Sequence, residues 1–80
     1  MAKYRIRNNV RALRFHNEEM TQQSLAEKVG VTRQTIVSIE KNKYSPSLEL
    51  AFRIAHIFNV ALHEVFSYDP DEDPINKSKK

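Results

Sequence analysis

The sequence predicts a small all-α domain of five short helices, and three observations support that class. Apolar residues recur at spacings of three and four along most of the chain, and no period-2 strand pattern is evident. Eighty residues with 40% hydrophobic content suit a single domain whose core is too small for a large internal substrate cavity. The only glycine, Gly30, divides the stretch TQQSLAEKVGVTRQTIVSIEKNK (residues 21 to 43) into two amphipathic segments, each opened by a threonine.

The first helix is predicted over about residues 4 to 16, where Ile6, Val10 and Leu13 share a face and Arg7, Arg11 and Arg14 form a basic stripe beside it. HNEE then breaks the pattern. Thr21 can cap a second helix of about eight residues, with Leu25, Ala26 and Val29 as its buried stripe and Gly30 as its end. Thr32 caps a third, about residues 33 to 41, with Ile36 and Ile39 pointing inward. Only Val31 and Thr32 separate Gly30 from that helix. A left-handed residue at Gly30 turns the chain sharply, and small Ala26 lets the two helices approach, which together make a helix-turn-helix. Pro46 blocks continuation, and Ser45 or Ser47 caps a fourth helix over residues 47 to 58, with Leu48, Ala51, Ile54, Ala55 and Phe58 inward. Asn59 ends it. Leu62 to Phe66 form a short fifth helix carrying Leu62, Val65 and Phe66. The expected domain is 1–68, and DPDEDPINKSKK (69–80), with two prolines, four acids and almost nothing apolar, reads as a disordered charged tail.

Composition excludes several classes of function. With no cysteine, there is no disulfide framework, thiolate metal site or cysteine nucleophile. One glycine cannot build a phosphate-cradling glycine loop. His16, His56 and His63 are scattered without acidic residues at ligand spacing, so no metal, cofactor or catalytic set is expected. No apolar run approaches the roughly 20 residues of a membrane span, and MAKYRIRNNVR lacks the apolar core of a signal peptide, so cytoplasmic residence is expected. Charge is unevenly placed. Residues 1 to 45 hold nine Lys/Arg against four Asp/Glu (+5), and residues 46 to 80 hold four against six (−2). The basic half contains the glycine turn, which points to an anionic partner such as nucleic acid.

From about Ile6 to Phe66 the sequence resembles the phage-repressor (Cro-like, XRE) helix-turn-helix regulators, and within them the compact type consisting of this domain alone. The resemblance is carried by Thr21-Gln22, Leu25-Ala26, Val29-Gly30-Val31, Arg33-Gln34-Thr35-Ile36, Ile39-Glu40 and Pro46-Ser47-Leu48. It implies a five-helix phage-repressor-like fold that binds double-stranded DNA, with the third helix in the major groove and the second crossing the backbone. Arg33, Gln34, Thr35 and Ser38 are then the base-contact candidates. Their chemistry fits independently: arginine can donate two bonds to guanine, glutamine can bond adenine, and threonine offers a hydroxyl or a methyl. Gln22 and Thr32, at helix starts, and Lys41, Lys43 and Tyr44, past the third helix, are the backbone-contact candidates. Lysines and free backbone N–H groups of that last segment would hold the flank of the groove. Arg14 and Glu40 match a scaffold ion pair joining the first helix to the end of the third.

Two departures from the family pattern stand out. The stretch from Arg14 to Gln22 is one residue longer than the commonest spacing, and Asn42 replaces the usual glycine after the third helix. Asparagine tolerates the left-handed conformation better than most residues, so that C-cap is expected to survive. A homodimer is expected through Val60, Leu62, Val65 and Phe66, which exceed what a short fifth helix needs. No small-molecule ligand is evident. The competing class is a protein-interaction module on the same fold, such as the antitoxin of a toxin pair or a transcriptional bridging factor.

Overall fold

The computed structural model describes residues 6–77. In chain order they form β1 (Ile6–Asn8), α1 (Val10–His16), α2 (Gln22–Val29), α3 (Arg33–Glu40), α4 (Leu48–Phe58), α5 (Leu62–Val65) and β2 (Phe66–Tyr68). A 3-10 turn (Pro70–Glu72) and one helical turn, α6 (Pro74–Lys77), follow. The architecture is mostly helical, as the apolar periodicity requires, with the five expected helices in the expected order.

The caps work as their side chains predict. The hydroxyls of Thr21, Thr32 and Ser47 accept from the backbone N–H of Ser24, Thr35 and Leu50. Each satisfies one donor that a helix start leaves without a partner. Gly30 ends α2 at φ 81°, with its N–H and that of Val31 both donating to Ala26 O. This left-handed corner sets α2 against α3 across Ala26, which is fully buried. Asn59 ends α4 at φ 59° in the same way.

Val10, Leu25, Ala26, Val29, Ile36, Ile39, Leu50, Ile54, Ala55, Phe58 and Val65 pack into one core that every helix from α1 to α5 enters. Burying each large side chain contributes about 1.5–3 kcal/mol, so the recognition of helix by helix rests on this cluster.

The structure corrects three sequence expectations about the extent and inward faces of the helices. Ile6 does not extend α1; it lies in β1, opposite Tyr68, with Arg7 opposite Ser67 and Asn8 opposite Phe66 in an antiparallel pair. α1 therefore starts at Val10, and residues 4 and 5 lie outside the described part of the chain. Two asparagines cause the shift: Asn8 Oδ1 accepts from Val10 N–H, while Asn9 donates its backbone N–H to Val65 O and its side chain to Glu64 O. The predicted fifth helix likewise stops at Val65, because Phe66 begins β2. On α4, Leu48 is not inward but 70% exposed, and Leu50 takes its place in the core. Leu48 is the first residue of the helix and projects beyond the core, whereas 50, 54 and 58 recur every fourth residue over it.

The corner between α1 and α2 turns through two consecutive left-handed glutamates, Glu18 (φ 59°) and Glu19 (φ 56°). Neither has the glycine or asparagine chemistry that makes this region cheap, so the corner stores strain of about 1–2 kcal/mol per residue. After β2, residues 69–76 contribute nothing to the core. Polar groups hold them instead: Tyr68 Oη donates to Asp73, Asn76 Nδ2 donates to Tyr68 Oη and Pro70 O, and Arg7 pairs with Glu72 across exposed surface.

Candidate nucleic-acid interface

α3 has two unlike sides. Ile36 and Ile39 are buried, while Arg33 and Gln34 are exposed and Thr35 and Ser38 half-buried beside them. The four base-contact candidates therefore lie on the outward part of a helix that the core holds from behind. Thr35 is not a free hydroxyl: its Oγ1 lies 3.0 Å from Thr32 Oγ1, which also accepts from Thr35 N–H at 3.2 Å. The cap thus holds the Thr35 side chain and uses part of the bonding capacity of the exposed Thr32 hydroxyl.

An open groove runs from α1 across the start of α2 to α3, lined by Arg11, Arg14, Glu19, Met20, Thr21, Gln22, Gln23, Arg33, Val37, Glu40 and Lys41. At its floor Arg14 and Glu40 form a two-pronged pair, with Nε donating to Oε2 at 2.6 Å and Nη2 to Oε1 at 3.0 Å. The third arm of Arg14, Nη1, donates to Met20 O at 2.8 Å, which ties the corner before α2 to the same pair. Side-chain exposure of 14% for Arg14 and 8% for Glu40 makes this a nearly buried pair whose charges cancel. The groove's remaining cations, Arg11, Arg33 and Lys41, face solvent and give it a positive character with only Glu19 opposing.

Gln22 Nε2 donates to Glu40 Oε1 at 3.1 Å, so its side chain is anchored to the pair while a second amide hydrogen remains available. Arg11 also lines the groove, and no sequence motif singled it out. It was legible only as a member of the basic stripe, and its position in this groove depends on how α1 packs.

Past α3, Asn42 adopts φ 61°. This geometry uses the backbone donors of the segment: Lys41 N–H donates to Val37 O, Asn42 N–H to Ile39 O and Lys43 N–H to Ser38 O. The expectation that free backbone N–H groups here reach a phosphate is therefore corrected for residues 41–43, whose donors close the helix end. The exposed side chains of Lys41, Lys43 and Tyr44 remain.

The four residues expected at a dimer interface do not share one environment. Val65 is 1% exposed inside the monomer core and drops out of the set, because α5 is a single turn that must bury one residue fully. Val60, Leu62 and Phe66 are half-buried against the core. Leu62 and Phe66 open onto an apolar recess shared with Ile6, Leu48, Phe52 and Tyr68, all exposed. Among the described residues no Asp, Glu, Lys or Arg lines this recess. Among the described residues no group of three or more His, Asp or Glu could hold a metal ion, and no helix is long and apolar enough to cross a membrane.

A family profile described as helix-turn-helix matches residues 10–65, from the first residue of α1 to the last of α5. The chain belongs to the helix-turn-helix family. This helix-turn-helix protein is 55% identical over 58 residues, 72% of its length, to a protein of Methanocaldococcus jannaschii named an uncharacterized HTH-type transcriptional regulator, of which it covers 85%. It is 44% identical over 61 residues, 76% of its length, to one so named from Bacillus subtilis, covering 91% of that protein. A candidate DNA-binding protein from Bacteroides fragilis, solved by crystallography, superposes with a TM-score of 0.68 at 26% identity, over 78% of this chain and 98% of that one.

Proposed function

The helix-turn-helix protein is a DNA-binding transcriptional regulator, and we propose that it binds double-stranded DNA as a homodimer, with α3 of each copy in the major groove. The observation that carries this reading is the outward edge of α3. Arg33 and Gln34 stand exposed at its start, Thr35 is held by Thr32, Ser38 follows one turn on, and the opposite side is locked by Ile36 and Ile39. Arg33 and Gln34 carry the paired donors that base edges select, Thr35 reads by its hydroxyl or methyl and Ser38 by its hydroxyl, and Gln22, Thr32, Lys41, Lys43, Tyr44 and Arg11 meet the backbone. Arg14 and Glu40 hold α3 and the start of α2 in register and read nothing themselves.

One eight-residue helix reads only a few base pairs, so specificity calls for a second copy. The recess around Phe52, Phe66 and Tyr68, which no described Asp, Glu, Lys or Arg lines, suits that role. Each copy carries a net charge of +3, so two can meet closely only where no like charges face each other. Two copies related by a two-fold axis would present their α3 helices about 34–36 Å apart, one turn of DNA. In the same reading residues 1–68 are the folding and DNA-binding unit, 69–80 are an appendage, the protein resides in the cytoplasm, and it has no enzymatic role.

Selection of bound duplexes from a random pool, with sedimentation of free and bound protein, tests the proposal. Enrichment of a two-fold symmetric site with half-sites about 10 base pairs apart is expected. Binding without sequence enrichment, or a strict monomer on DNA at high micromolar concentration, would refute it. Capture of a folded protein partner in place of DNA would favour the interaction-module alternative.

A further inference from the structure

Asn8 closes β1, opposite Phe66, and spends its whole side-chain amide on other elements. Its Oδ1 accepts from Val10 N–H at 3.1 Å, at the start of α1. Both hydrogens of its Nδ2 go to the far end of α3: one to Ile39 O at 3.0 Å, the other to Asn42 Oδ1 at 2.9 Å. Ile39 O also receives Asn42 N–H, and Lys43 N–H turns back to Ser38 O at 2.8 Å. A half-buried asparagine on a two-stranded sheet therefore holds the C-cap of the recognition helix, through a residue whose φ is 61°.

The chemistry of position 42 is informative. Glycine would take a left-handed φ with no steric cost, whereas asparagine carries a small one and supplies an acceptor that glycine lacks. That acceptor is what Asn8 uses. On its other flank the last turn of α3 is held by Glu40, through Arg14 and Gln22. Two separate clamps hold this turn, and Lys41, Lys43 and Tyr44 follow directly after it. The core does not need the Asn8 clamp, since Ile36 and Ile39 are already buried by packing.

We infer that Asn8 is a positioning residue for DNA binding, which acts through Asn42 to set the path of Lys43 and Tyr44 along the phosphate backbone. The inference rests on the reading of α3 as the groove-bound helix. It predicts a separation of effects. Arg33 and Gln34 sit at the opposite end of α3, so loosening the C-cap leaves base preference intact and weakens the sequence-independent contacts. The β1–β2 pair also borders the apolar recess, so the same clamp joins the proposed dimer face to the recognition helix.

The test uses Asn8→Asp in the full chain, which keeps an acceptor for Val10 N–H and removes both donated bonds. Asn42→Gly is the second variant, removing the acceptor while easing the backbone. Binding to selected and random duplexes is titrated at several salt concentrations, with the Lys43 amide resonance followed in the free proteins. For Asn8→Asp we expect about threefold to tenfold weaker binding to both duplex classes. We also expect a salt slope reduced by about one unit, an unchanged preferred sequence and a shifted Lys43 amide. Asn42→Gly should move affinity and slope in the same direction by a smaller amount, and the double variant should be no worse than Asn8→Asp alone. A purely structural role would change the melting temperature and leave the slope of the folded protein untouched. Unchanged affinity, slope and Lys43 amide in folded Asn8→Asp would overturn the inference; should that variant not fold, the same result in Asn42→Gly does so. A wild-type chain that binds no duplex would overturn the DNA reading itself, a distinct result from wild-type binding that neither variant alters.

Discussion

Replacing one partner of the Arg14–Glu40 pair should be among the most damaging single changes outside the hydrophobic core. Glu40 accepts at both oxygens, twice from Arg14 and once from Gln22, and Arg14 adds a bond to Met20 O. With side chains only 14% and 8% exposed, either charge left alone is poorly hydrated. Stranding one partner of such a pair costs about 3–5 kcal/mol. The whole stability of a domain this size is about 4–12 kcal/mol. Arg14→Met and Glu40→Leu should each lower the melting temperature by about 12 °C or more. The double variant removes both charges and fills the space with apolar atoms, so it should return to within about 1 kcal/mol of wild type or exceed it. Urea and thermal unfolding of the four proteins close a double-mutant cycle. If either single variant costs under about 1 kcal/mol, the pair is solvated like a surface bridge and does not hold α3.

Gly30→Ala should destabilise by about 1–2 kcal/mol, read by thermal unfolding, purely through its backbone, since an added Cβ would meet no atom within 4 Å while φ is 81°. Glu19→Gly should be neutral or stabilise by up to about 1 kcal/mol, because glycine removes the steric cost of the left-handed corner at the expense of chain entropy; a clear loss in denaturant unfolding would show that the corner is not strained. Deleting residues 69–80 removes the exposed Arg7–Glu72 pair and, among the described residues, none of the core, so the melting temperature should fall by no more than a few degrees. Phe52→Glu places a charge in the apolar recess; sedimentation should show a monomer with an unchanged fold, and an unaltered dimer would move the interface elsewhere.

The helix-turn-helix was legible because its signals are local. Thr21, Thr32 and Ser47 cap with their own hydroxyls, Gly30 and Asn59 take the left-handed turns their chemistry favours, and Ala26 is small where two helices touch. What stayed hidden depends on distant partners or on none. Ile6 fits a helical stripe and a strand equally well, and its place in β1 goes with Tyr68 opposite it, more than sixty residues away, and with the bonds that Asn8 and Asn9 make. Glu18 and Glu19 carry no sign of the left-handed pair that they form. Leu48 obeys the period of α4 but stands one turn beyond the core, so periodicity placed it inside where packing leaves it out. At the interface, residue type marked Arg33, Gln34 and Gln22. The engagement of Gln22 by Glu40 and the place of Arg11 in the groove needed the packing of α1.

The central claim, that α3 reads base edges while its surroundings grip the backbone, is tested most directly by comparing Arg33→Ala with Lys43→Ala. Both would be titrated over matched, singly substituted and random duplexes at several salt concentrations. Arg33→Ala should lose about 1–3 kcal/mol on the best site and relax preference at one base position, because a donor pair specific to that base is gone. Lys43→Ala should weaken binding to every duplex and lower the salt slope by about one unit, with the preferred sequence unchanged. A folded Arg33→Ala protein that keeps both full affinity and full base preference would contradict the placement of α3 in the major groove.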